Sequence, residues 1–146
     1  PMTDIDRTAQ LERACSYLRR IPAWYLATTD MADGHQPRVR PFSFAAKPDG
    51  KLWFCTATTK DVWQELLQNP LMEATAWWPG HGWLILRGRA GMDDCASDEI
   101  RTAGWKHLES LGEHYDGAND PTLVFFSLED PQAWICNHDE WKPLSL

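Results

Sequence analysis

WYLATTDMADGHQPRVRPFSFAAKPDGKLWFCT, residues 24–56, is the stretch on which the fold turns. It opens with Trp24-Tyr25-Leu26-Ala27-Thr28-Thr29, a run of strand formers. Arg38 to Ala46 reads as a second strand and Lys51 to Thr56 as a third. Asp33-Gly34 is a turn signal between the first two. Lys47-Pro48-Asp49-Gly50 puts proline and glycine where a turn needs them between the next two. The spacing predicts a three-stranded meander.

Outward from it, Leu11, Ala14, Cys15, Leu18 and Ile21 keep a helical apolar period, with Ile5 a turn earlier. Thr3 or Asp4 can cap this helix and Pro22 ends it. Beyond the meander, Asp61 to Gln68 predicts a short helix stopped by Asn69-Pro70. Leu71 to Trp78 and Trp83 to Ala90 predict two strands around Pro79-Gly80-His81-Gly82. Asp94 or Ser97 caps a further helix that runs to about Leu111, with Ile100, Ala103, His107, Leu108 and Leu111 as its apolar stripe. Thr122 to Glu129 is a sixth strand, and Ala133 to Asn137 a short seventh piece. Strands without βαβ alternation predict an antiparallel sheet with flanking helices, an α+β chain whose strand edges are hidden in a closed or half-closed barrel. With no repeat and no linker, residues 1–146 read as a single domain.

A chain of 146 residues can bury roughly 70% of its unfolded surface, enough for a core without metal or disulfides. The net charge of −7 argues against nucleic acid or an anionic membrane as partner. No apolar run is long enough to span a bilayer, and the N-terminus does not read as a signal peptide. Cys15, Cys55, Cys95 and Cys136 lie far apart, so reduced thiols and a cytoplasmic location are expected. Nine tryptophans are many for this length; each either packs a core or interface or stacks on a planar ligand.

Two segments carry chemistry. In Gln36-Pro37-Arg38-Val39-Arg40-Pro41-Phe42-Ser43-Phe44, strand alternation puts Arg38, Arg40, Phe42 and Phe44 on one face. That is either a solvated edge with arginine stems on their neighbours or an anion site, since guanidinium matches phosphate geometry. In Thr56-Ala57-Thr58-Thr59-Lys60, a strand end opens a helix. Free amides, hydroxyls and one cation there describe a phosphate cradle, against plain capping by Thr58 or Thr59 with Lys60 exposed. If the strands bearing the two segments are hydrogen-bonded neighbours, both clusters reach one phosphate.

Together with Tyr25-Leu26-Ala27-Thr28, Gly50-Lys51-Leu52-Trp53-Phe54-Cys55-Thr56, Asn69-Pro70 and Trp83-Leu84-Ile85-Leu86-Arg87-Gly88-Arg89-Ala90, these segments resemble the pyridoxamine 5′-phosphate oxidase-like FMN-binding split-barrel family. The resemblance is strong over Trp24 to Met92 and looser in the last third. It implies a six-stranded antiparallel split β-barrel and a homodimer with FMN at its interface. By position, Arg38 or Arg40 and Lys60 would hold the phosphate, helped by Thr58 and Thr59. Pro41, Phe42 and Ser43 would run under the flavin ring, Thr56 would sit near the ring or ribityl chain, and Trp83 would approach from the other subunit. The Arg-x-His substrate segment of the true oxidases has no counterpart in the C-terminal Trp134 to Leu146. The chain therefore looks like the short members, of general-stress or nitroimidazole-resistance type.

The expected function is FMN-dependent redox chemistry on an unknown small molecule. The alternatives are a non-catalytic flavin binder, or the same barrel holding F420 or haem. No metal-site spacing and no Ser-His-Asp or Cys-His signature occurs. His107 reads as a partly buried helix residue, and no residue stands out as a proton donor.

Overall fold

The structure is a computed structural model that describes residues 3–92 and 96–146. Asp94, a candidate cap, and Cys95 lie outside the described residues. Helix α1 spans Asp4–Arg19. Strands β1 (Trp24–Asp30), β2 (Gln36–Phe42) and β3 (Trp53–Ala57) precede α2 (Asp61–Gln68). Then come β4 (Leu71–Trp78), β5 (Gly82–Gly91), α3 (Asp98–Ser110), β6 (Leu123–Cys136) and β7 (Trp141–Leu144). The sheet is antiparallel in the order β2-β1-β4-β5-β6-β3, with β7 added on β6. It curls into an open barrel rather than a closed one: β2 and β3, the ends of the path, do not pair. No helix among the described residues is long and apolar enough to cross a membrane.

The expected meander is therefore half formed. β1 and β2 make a hairpin from Trp24↔Phe42 to Asp30↔Gln36. β2 then stops at Phe42, and only the Ala46↔Trp53 bridge links the chain after it to β3. The reason is proline. Pro37 and Pro41 oppose Thr29 and Tyr25 in the same register class. Neither has an N–H to give, which weakens the outer rim of β2 as a template for another strand. β3 pairs with β6 instead, Trp53↔Ser127 through Ala57↔Leu123. The sixth strand and the short piece after it are one strand, β6, bent where Asp130 takes φ 48° and β5 slips register between Arg87 and Arg89. Strand β7 had no counterpart in the sequence reading.

Two cores result. The larger lies between the inner sheet face and α1, and holds Leu18, Trp24, Leu26, Phe54, Leu84, Leu86 and Phe126. Thr3 and Asp6 form a capping box that starts α1, which ends ahead of Pro22 because a residue before proline avoids helical backbone. The second core sits under α3, where Phe44, Trp53, Cys55, Ile100, Leu108, Leu123 and Phe125 meet. Strand β3 is buried along its whole length and feeds both. Ser97 caps α3 by accepting from the Ile100 amide. The stripe of α3 differs from expectation: Gly104 is buried, while Ala103 and Leu111 are exposed.

Gly104 sets how closely α3 approaches the sheet. A Cβ there would lie 2.6 Å from the Phe125 ring. Gly104→Ala is expected to lower stability by about 1–3 kcal/mol through overpacking, despite the better helix propensity of alanine. Urea unfolding checks this; an unchanged or raised midpoint would contradict the close packing.

Candidate functional site

The seam between β2 and β3 is where the chain must cross from one end of the sheet to the other. Residues 43–45 make that crossing without strand pairing. A cleft of about 320 Å³ opens there, lined by Arg40, Pro41, Phe42, Ser43 and Phe44 on one side and by Cys55, Thr56, Lys60 and Val62 on the other. His107 and Leu108 of α3, its C-cap Leu111, then Glu113, close its third wall. Of the residues singled out in the sequence, the fold brings together Arg40, Pro41, Phe42, Ser43, Thr56 and Lys60. They converge although β2 and β3 are not the hydrogen-bonded neighbours the meander implied: the two strand ends face each other across the open seam.

The other four lie elsewhere. Arg38 is exposed and pairs with Asp33 at 2.6 Å and Asp30 at 3.5 Å in the β1–β2 turn. Thr58 gives its amide to the Thr122 carbonyl at 2.9 Å, and Thr59 is exposed beside it. Trp83 sits on the outer sheet face, paired across the strands with Trp77 and edge-on to His138. It does not line the cleft of its own chain.

The charges at the cleft differ in kind. Arg40 donates to the buried Glu65 carboxylate, to the Thr28 hydroxyl at 2.7 Å and to the Leu26 carbonyl at 3.2 Å. Thr28 also donates to Glu65 at 2.6 Å. The guanidinium is thus neutralised by a carboxylate from α2 and ties three elements together. Lys60 has no ion-pair partner among the described residues. It is itself the N-cap of α2, in extended conformation and with no side-chain cap, where Thr58 or Thr59 had been the candidates. The first amides of α2 are left without a side-chain acceptor, beside a free ammonium.

Two further groups face the cleft. Burial pushes the Cys55 thiol up to about 12, with the Lys60 charge opposing, so it is no thiolate at neutral pH. His107 Nε2 lies 2.8 Å from Ser43 Oγ. Burial holds its basicity below the ordinary histidine value. The sequence placed His107 on the helix but not at the site, because its partner lies 64 positions away. Leu111 was read only as part of the helix's apolar stripe, and Glu113 carried no signal at all. Among the described residues no group of histidine, cysteine and carboxylate side chains could hold a metal ion.

Comparison with known proteins follows the same lines. The family model for pyridoxamine 5′-phosphate oxidase matches residues 11–129. Among solved structures, a NimC/NimA family protein from Clostridium acetobutylicum is 28% identical with a TM-score of 0.78, each chain covered to 93%. General Stress Protein 26 from Bacillus anthracis is 14% identical with a TM-score of 0.68, covering 92% of this chain and 99% of its own. A pyridoxamine 5′-phosphate oxidase-related, FMN-binding protein from Nostoc punctiforme is 17% identical with a TM-score of 0.60, covering 95% and 93%. No curated protein matches. With 119 consecutive residues inside the family model and the split-barrel topology around them, this chain belongs to the pyridoxamine 5′-phosphate oxidase family.

Proposed function

We propose that the chain binds FMN in the seam cleft and works as a dimeric, cytoplasmic flavin oxidoreductase on a small-molecule redox substrate. One observation carries the reading: six residues expected at an FMN site line one cleft, and its cation, Lys60, stands unpaired at an uncapped helix start. The donor set fits the group. Lys60, the first amides of α2 and the hydroxyl of Thr56 suit a phosphate, while Thr58 and Thr59 lie outside the cleft lining. Pro41 and Phe42 offer a flat apolar wall for a ring system, with the Ser43 hydroxyl at its edge. FMN, when bound, supplies the hydride or electron transfer; the protein contributes position and electrostatics. Arg40 belongs to the set as a wall held in place by Glu65, and Arg38 lies outside the cleft of its own chain. Haem is less well served, since the histidine that lines the cleft has its Nε2 engaged by Ser43.

The outer sheet face supports the dimer. Pairing sets Pro41, Tyr25, Thr75, Ile85 and Trp134 in one row across five strands, next to the Trp77–Trp83 pair. Tyr25, Val39 and Trp77 are large apolar side chains exposed on this face, the kind of surface a protein interface covers. A second copy of the chain on this face would cover it and bring Trp83 toward the partner's cleft.

Lys60→Ala is expected to weaken FMN binding about tenfold to a hundredfold, the loss of one charged hydrogen bond, while Arg38→Ala changes it little. Flavin fluorescence titration reads both; equal affinity in wild type and Lys60→Ala would overturn the phosphate assignment. Arg40→Ala behaves differently. It leaves Glu65 buried without its partner and is expected to cost about 3 kcal/mol of stability, whereas Arg40→Met with Glu65→Leu recovers most of it. Thermal melts of the three proteins check this, and a single variant as stable as the wild type would contradict the ion pair.

A further inference from the structure

We propose that Ser43 and His107 form a proton relay at the seam, in which Ser43 touches the bound ligand and His107 acts through it as a positioning residue. The proposal rests on the cofactor reading above and adds a proton path to it. Its basis is geometric. Ser43 Oγ and His107 Nε2 are 2.8 Å apart, and both side chains line the cleft. Both also line an adjoining, more open hollow of about 290 Å³, together with Arg19, Phe44 and Ala103. The pair therefore sits where the cleft and the hollow adjoin. Its geometry is held from behind: the His107 ring lies 5.6 Å from the Phe44 ring, and α3 rests on Phe125 at Gly104.

A serine hydroxyl has one proton to give and lone pairs to accept with, and Nε2 can do either. With Nε2 bare, Ser43 donates to His107 and turns lone pairs toward the cleft. With the ring charged, Nε2–H donates to Ser43 and the hydroxyl donates into the cleft. In the transfer step the Ser43 O–H bond breaks as its proton goes to an acceptor on the ligand. The His107 Nε2–H bond breaks as its proton restores the hydroxyl. The imidazolium thereby becomes neutral imidazole, and a proton from solvent at the adjoining hollow restores it. No electron moves in this step.

The charged and titratable groups that share these hollows with His107 are Arg19 of α1, Arg40 of β2, Cys55 of β3, Lys60 at the head of α2 and Glu113 beyond α3. Arg19 donates through Nε to the Ala45 carbonyl, Arg40 is held by Glu65, and the Cys55 thiol stays protonated. None makes an ion pair with His107 among the described residues. Burial alone lowers its basicity, so the ring is mostly neutral near pH 7 and charges only below the ordinary histidine value of about 6.5.

The test is the FMN dissociation constant from roughly pH 5 to 8 for wild type, Ser43→Ala, Ser43→Thr and His107→Gln, with the His107 ring followed by NMR. A break below about pH 6.5 is expected in wild type and Ser43→Thr, and absent from His107→Gln and Ser43→Ala. A break that survives in His107→Gln overturns the relay, since another group titrates. A break that survives in Ser43→Ala while His107 still titrates overturns it too, because the charge then acts through space. A wild-type protein that binds no FMN at any pH overturns the cofactor reading, and the relay with it.

Discussion

A strand that can be paired on one side only shapes everything else in this molecule. Pro37 and Pro41 strip two donors from the rim of β2, and the sheet begins there. Its other end, β3, is buried on both faces and turns its side chains into two separate cores. Between these ends the barrel stays open. At the seam, strand ends, a helix start and the side of α3 meet without a ladder to fill the gap. A cleft follows from the topology before any residue in it is considered.

The charges around the seam show how the fold sorts two similar cations. Arg40 and Lys60 both line the cleft, yet Arg40 is committed to a carboxylate that α2 buries, and Lys60 is not. The first arrangement orders the wall: it joins β1, β2 and α2 through Thr28, Leu26 and Glu65. The second leaves a charge available where the α2 dipole already favours an anion. Removing Arg40 therefore reports on the scaffold, and removing Lys60 on the ligand.

Much of this was legible in the sequence because it is local. Turn residues at Asp33-Gly34 and Pro48-Asp49-Gly50, the alternating apolar runs, and the Ser97 and Thr3 caps fix elements within a few residues of themselves. The two segments that meet at the cleft were legible for the same reason. What failed was pairing. The tight turn at 47–50 looked like a hairpin joining long strands, and the prolines that forbid it sit on the far rim, where only the sheet order gives them meaning. The fate of Arg38 and Arg40 was equally closed to sequence reading. Both alternate onto the same face of β2, but one meets Asp33 in its own turn and the other meets Glu65 from a helix 25 residues on. His107 was seen as a helix residue and missed as a site residue, since a serine 64 positions earlier gives it its place.

Uptake of a flavin by the purified protein tests the central claim most directly. A visible absorption titration with FMN, read together with tryptophan fluorescence, is predicted to saturate at one FMN per chain, with quenching that follows the same curve. A protein that leaves FMN free in solution but takes up F420 or haem under the same conditions would contradict the account of the cleft while leaving the fold intact.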